Sequence, residues 1–223
     1  HLIGELVEDA EVIGGASPNS IAMGSKFAYV TNATNDNISI IDYKLGKIVG
    51  HIAIKVDPAL DKYRGLVPFG ITLSADEKTL YVALLGFTAV AVIDVASQKT
   101  TGLIPTGWGP TRVLLSKNQQ DLYVISCRGY GAGPNGGKGF KVPPQGTFVG
   151  DIQLATFQKI AKPSPTQLAA YTKTALQNTF TAVPASSIPT SPLPALPGLH
   201  GTPIKHIVFI TKENRTYDEV LGQ

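Results

Sequence analysis

Over most of its first 160 positions the chain alternates short apolar runs with clusters of turn residues. Phe27-Ala28-Tyr29-Val30-Thr31-Asn32 and Asn37-Ile38-Ser39-Ile40-Ile41-Asp42 are of strand length, rich in β-branched and aromatic residues, and bounded by Gly, Ser, Asn and Asp. That is the strand signature. The pattern recurs in three segments. The first runs from Ser17-Pro18 through Tyr29-Val30 to Ile40-Ile41-Asp42. The second runs from Val67-Pro68 through Tyr81-Val82 to Val92-Ile93-Asp94. The third runs from Gly109-Pro110 through Tyr123-Val124 to Gly146–Asp151. Pro18, Pro68 and Pro110 are 50 and 42 positions apart, and Tyr29, Tyr81 and Tyr123 are 52 and 42 apart. Such spacing is near the roughly 40–50 residue period of four-stranded propeller blades. Each unit reads as a Pro-led strand, a Ser/Asp turn, a Tyr-Val strand and an Ile-Ile-Asp type strand. A fourth strand follows, as in Lys47–Ile52 and Thr100–Ile104. Residues 1–16 read as strands of a preceding blade.

A different pattern begins near residue 161. Ser164-Pro165 opens a helix between Pro163 and Phe180, with Leu168, Ala169, Tyr171, Thr172, Ala175 and Leu176 on one face. Pro184 to Pro203 then holds six prolines among small residues, an extended and semi-rigid linker. Beyond it, Ile207–Ile210 reads as an apolar strand buried on both faces, as in a parallel sheet. The polar cluster Lys212–Asp218 follows at the strand's C-terminal end, where open α/β sheets bind ligands, and Asp218–Leu221 reads as the start of a helix. The expected fold is mostly β: a partial β-propeller of about three four-stranded blades over 1–160, then a linker with a short helix and a Pro-rich segment over 161–203. Residues 204–223 would begin an α/β domain.

Composition agrees with this division. Charged residues make up 16%, and 23 glycines and 16 prolines interrupt the chain too often for a helical bundle. A net charge of +3, scattered along the sequence, gives no nucleic-acid footprint. The single cysteine excludes an internal disulfide framework and a cysteine-built zinc site. No apolar run approaches the ~18 residues of a membrane helix. The start, His-Leu-Ile-Gly, carries neither Met nor a signal sequence, and reads as that of a processed, trimmed or internal piece.

The three repeats resemble the YVTN-type β-propeller repeat. The eponymous residues stand as Tyr29-Val30-Thr31-Asn32, with Tyr81-Val82-Ala83-Leu84 and Tyr123-Val124-Ile125-Ser126 as degraded copies. The resemblance covers about residues 1–155 and implies a propeller fold without specifying a function. Closed propellers need about four to eight blades. The open edges are therefore expected to be covered, either by blades lying upstream in the natural chain or by self-association of copies.

The third unit carries a Gly-rich insertion, Arg128 to Phe140. It contains Gly131-x-Gly133-x-x-Gly136, but no helix pattern follows to hold a pyrophosphate, which excludes the dinucleotide reading. The loop is either a plain surface loop or a docking loop, with Arg128 and Lys138 available to an anion. Trp108, between Gly107 and Gly109 at a blade junction, either packs in the seam or stacks on a ligand. Cys127 ends a repeat strand and reads as a buried, inert thiol. The histidines His1, His51, His200 and His206 have no metal-binding spacing, and no Gly-x-Ser-x-Gly elbow exists.

At the C-terminal end, Glu213-Asn214-Arg215-Thr216-Tyr217-Asp218 resembles the opening motif of the phosphoesterase family that includes acid phosphatases and bacterial phospholipases C, related to the alkaline phosphatase superfamily. The match covers about 20 residues. It implies that Glu213 and Asn214 contribute to a divalent metal site, their hard oxygen donors suiting a cation that polarises a phosphoryl oxygen. The nucleophile and remaining ligands of that family stand downstream of the motif. So no metal is expected to bind tightly here, and this piece itself is not expected to be catalytic; without those partners, Glu213 and Asn214 are a solvated polar turn. The order of repeats, insertion, helix, Pro-rich segment and motif resembles bacterial propeller–phosphoesterase fusions. This implies an extracytoplasmic setting, with an unknown protein or cell-envelope partner. Three functions remain open: the accessory domain of a metal-dependent phosphoesterase, a non-enzymatic binding module with a degenerate phosphoesterase part, and a surface scaffold.

Overall fold

The computed structural model describes residues 16–61, 64–129, 154–179 and 204–211, and the single positions 139, 141 and 144. The first sheet is an antiparallel meander of β1 (Pro18–Met23), β2 (Phe27–Asn32), β3 (Asn37–Asp42) and β4 (Lys47–Ala53). The second repeats it with β5 (Pro68–Leu73), β6 (Thr79–Leu84), β7 (Ala89–Asp94) and β8 (Lys99–Pro105). The third holds β9 (Pro110–Leu115), β10 (Asp121–Ser126) and β11 (Thr156–Ala161). The Pro-led strands β1, β5 and β9 stand side by side, so the meanders are successive blades of a partial propeller; no barrel closes among the described residues.

The repeat is visible in individual hydrogen bonds. The residue before each leading proline has a positive φ: Ser17 at 50°, Val67 at 51° and Gly109 at 67°. The carbonyls of these residues accept from the amides of Ala33, Leu85 and Cys127 at 3.0, 3.0 and 2.9 Å. The carbonyls one position earlier, on Ala16, Leu66 and Trp108, accept from Thr34, Gly86 and Arg128 at 3.2, 3.0 and 3.0 Å. A left-handed conformation is costly for a β-branched residue such as Val67, and these paired bonds hold it. Ser74 and Ser116 build the first turn of blades two and three alike. Each hydroxyl donates at 2.6 Å to the side chain two residues on, Asp76 or Asn118, and accepts at 2.9 Å from the amide of Thr79 or Asp121.

Two apolar seams join the blades. Between blades one and two, Tyr29, Ile38 and Ile40 meet Ile71, Leu80, Val82 and Leu84. Between blades two and three, Tyr81, Ala83, Val90 and Val92 meet Val113, Leu122 and Val124. Blades one and two thus each present their tyrosine-bearing face to the blade that follows.

The third blade departs from the sequence expectation in two ways. The strand expected at Gly146–Asp151 falls outside the described residues, and the third-strand place is taken by Thr156–Ala161. No fourth strand follows among the described residues. Instead the chain enters α1 (Pro165–Thr179). Ser164 accepts from the Gln167 amide at 3.4 Å while Gln167 Oε1 accepts from the Ser164 amide at 3.0 Å, a capping box with proline in the first helical turn. This local nucleus stops the strand pattern. The helix then docks on β8: Thr172 Oγ1 accepts from the Leu103 amide at 2.9 Å, Ala175 is buried, and Gly102 leaves room for Leu168 where any Cβ would collide.

The strand expected at Ile207–Ile210 does not form. These residues are 82–87% exposed and enter no ladder. An apolar run becomes a buried strand only when neighbouring strands and a covering layer exist, and none stands beside it among the described residues.

Candidate functional site

The β2–β3, β4–β5, β6–β7, β8–β9 and β10–β11 connections all lie at one end of the sheets, and two cavities open among them. The first, about 450 Å³, lies between blades one and two; Asn35, Asp36, Lys55, Asp57, Arg64 and Phe87 are among its lining. Asp36 organises it. Its carboxylate accepts from the Gly65 amide at 2.7 Å and the Val67 amide at 2.9 Å, and its carbonyl accepts from Ile54 at 3.0 Å. One residue therefore ties both ends of the long connection between β4 and β5 to the β2–β3 loop, the β4 end by its carbonyl and the β5 end by its side chain. Within that connection Asp57 caps the short 3-10 turn Pro58–Leu60 by accepting from Ala59 at 2.8 Å, and Lys55 pairs with Asp61 at 3.5 Å. In blade two the place of Asp36 is held by Thr88, whose carbonyl accepts from Thr106 at 3.1 Å; the connection there needs only 106–109.

The second cavity, about 640 Å³, lies between blades two and three and is lined by Thr88, Thr106, Gly107, Trp108, Gly129 and Thr156–Gln158 with Ala155. Trp108 is 47% exposed on its rim. Its amide donates to Gly129 at 2.7 Å, its carbonyl accepts from Arg128 at 3.0 Å, and the neighbouring Gly107 amide donates to Gln158 Oε1 at 2.7 Å. Gly107 runs so close to Gly129 and Ser126 that a Cβ there would lie 2.9 Å from the Gly129 carbonyl oxygen. The hydroxyls of Ser126 and Thr156 are buried with no hydrogen-bond partner among the described residues.

Two of the residues singled out from sequence, Trp108 and Arg128, are thus brought together, at the point where the Gly-rich insertion leaves β10. Lys138 lies outside the described residues, as do Glu213 and Asn214. Cys127 is exposed, not buried: it stands one residue past β10, where the chain turns out of the sheet. Among the described residues no group of three or more His, Cys, Asp or Glu side chains could hold a metal, and no helix is long and apolar enough to cross a membrane. The sequence reading missed Asp36. Its only signal was an acid inside the Asn35-Asp36-Asn37 run, where the second repeat has Thr88.

Two tyrosines carry shifted hydroxyls away from these cavities. Burial pushes Tyr29 and Tyr81 up, aided by Glu77 and Asp76 respectively.

No protein-family model and no curated protein matches the chain. Solved structures do. The chain is similar to hydrazine synthase of Kuenenia stuttgartiensis at 19% identity, covering 56% of this chain and 34% of that one with a TM-score of 0.45. It is similar to virginiamycin B lyase of Staphylococcus aureus at 22% identity, 53% and 36% coverage and a TM-score of 0.40. A Bacteroides fragilis protein described as a 6-phosphogluconolactonase matches at 23% identity, 52% and 33% coverage and a TM-score of 0.43. The chain spans about a third of the length of each of these structures. The blade topology carries the propeller fold by itself, and no activity passes from these proteins to this one.

Proposed function

We propose that this chain is the propeller portion of a metal-dependent phosphoesterase of bacterial, extracytoplasmic type, and that it serves as a non-catalytic binding module. The carrying observation is Trp108, exposed on a cavity rim and hydrogen-bonded to the root of the insertion, with Arg128 beside it. An indole and a guanidinium carried on hydrogen-bonded neighbouring backbone suit an anionic ester with an organic group. The resemblance at 213–218 supplies the phosphate chemistry. Glu213 and Asn214 would give oxygen donors to a hard divalent cation, which when bound would polarise a phosphoryl oxygen. Two donors are too few to hold that ion tightly, so this reading requires further ligands from a longer protein.

Trp108 is the only tryptophan, so its emission reports directly on this cavity. Titration with glycerol phosphate is expected to shift the emission, and Arg128→Ala to weaken the response about tenfold, the loss of one charge-assisted contact. An unchanged emission overturns the module. In the longer protein Glu213→Ala is expected to abolish metal-dependent ester hydrolysis while leaving the Trp108 response intact. A Trp108 response without any turnover in that protein supports instead a binding or surface protein with a degenerate phosphoesterase part.

A further inference from the structure

The connection between β4 and β5 is longer than joining two blades requires. It runs over fourteen residues, 54–67, where the equivalent connection between β8 and β9 takes four, 106–109. The extra chain forms a wall that the sequence holds in place. Asp36 fastens both its ends, Asp57 caps the turn Pro58–Leu60, and Lys55 pairs with Asp61. Together with Asn35 and Phe87 this wall bounds the cavity of about 450 Å³ at the first seam, within the roughly 300–1,000 Å³ of small-molecule sites.

Most polar groups of the lining are engaged within the chain. Both oxygens of the Asp36 carboxylate accept from amides, and the Lys55 ammonium is matched by Asp61. Three lining groups are left over. The side-chain oxygen of Asn35 is buried without a hydrogen-bond partner. Asp57 uses one carboxylate oxygen for its cap, and the other has no partner among the described residues. Arg64 is exposed, with no hydrogen bond or ion pair to the described residues. A buried acceptor left unmatched is costly, so its donor is expected from outside the chain. Charge then decides between ligands. The lining sets Asp36, Asp57 and Asp61 against Lys55 and Arg64, a balance of −1. A phosphate or other plain anion would meet Arg64 together with this excess of carboxylates. A zwitterion matches both kinds of free group at once, an ammonium for the two acceptors and a carboxylate for the guanidinium fork.

We propose that this cavity binds a free apolar α-amino acid. Its ammonium donates to Asn35 Oδ1 and to Asp57, its carboxylate accepts from Arg64, and its side chain packs among Leu60, Leu66 and Phe87. The site is separate from the cavity that Trp108 rims and is independent of the function proposed there.

Isothermal titration calorimetry of the full chain with L-leucine, L-methionine and L-phenylalanine tests this. At least one is expected to saturate with a Kd below about 1 mM. Trp108 emission should stay unchanged, since that indole lies on the other cavity. Arg64→Gln, at an exposed position, should keep the circular dichroism of the parent and raise the Kd about tenfold. Asn35→Leu should raise it likewise. Asn35→Asp keeps the acceptor and adds a negative charge, so it should leave the Kd equal or lower. The amino-acid amide, which lacks the carboxylate, should bind weakly and alike to the parent and to Arg64→Gln. No saturation by any of the three at about 10 mM overturns the proposal and leaves the cavity to water. Binding that survives Arg64→Gln unchanged, or that is as tight for the N-acetyl amino acid as for the free one, also overturns it, because the ligand is then not held as a zwitterion. A loss on Asn35→Asp does the same, since the carboxamide would then be donating to an anion.

Discussion

Blades two and three share a sequence pattern and differ in fate. Tyr81-Val82-Ala83 and Tyr123-Val124-Ile125 occupy the same strand of the same meander. In blade two both faces are covered, and Leu80 to Leu84 are buried throughout. In blade three one face is covered, so Leu122 and Val124 are buried while Ile125 is exposed. The strand is therefore a property of the local alternation, and its burial is a property of the neighbour. Blade two also carries α1 on its outer strand, which makes it the most enclosed part of the described chain.

The largest effect that would sharpen this contrast is a cavity in blade two. Leu80→Ala should cost about 2–5 kcal/mol, read as a lowered denaturant midpoint at unchanged slope. Ile125→Ala, at a position 43% exposed, should stay within about 0.5 kcal/mol. Equal losses at the two sites would mean that the blades are covered alike.

Next comes the loop end of the first seam. Asp36→Ala deprives the Gly65 and Val67 amides of their charged acceptor and should cost about 1.5–3 kcal/mol. Hydrogen exchange should accelerate selectively across 54–67, while the short 106–109 connection, which needs no such acid, stays protected. Uniform acceleration of both would break the distinction drawn between the two connections.

The smallest effect lies in the paired serine turns. In blade two the Ser74 hydroxyl, and then the Lys78 amide, hold the Asp76 carboxyl below its usual range. A lowered folded-state value gives stability that is present above the unfolded carboxyl's pKa and lost as pH falls through the folded one, here below about pH 4. Blade three has the uncharged Asn118 in that place. Ser74→Ala should thus flatten part of the acid dependence of unfolding, and Ser116→Ala should not. The same acid profile in both variants would remove Asp76 from the account. At neutral pH each variant should lose about 1 kcal/mol, because an amide loses its acceptor.

Much of this architecture was legible in the sequence. The prolines at 18, 68 and 110 lead inner strands, the Ser-x-Asp and Ser-x-Asn turns fold as side chain–backbone hydrogen bonds require, and Ser164-Pro165 opens a helix. All of these depend on residues a few positions apart, so alternation and turn chemistry specify them. Trp108 and Arg128 could be named from their glycine-rich surroundings, but not the cavity they share, because that depends on two connections meeting across a blade seam. Tertiary structure alone decided that β11 is drawn from 156–161, that α1 docks on β8, that Asp36 ties the long connection down, and that Cys127 and Ile207–Ile210 are exposed. The physical reason is the same throughout: hydrophobic burial and strand pairing are gained only against a partner surface, and which segments of chain provide that surface is not written in the local pattern that each of them carries.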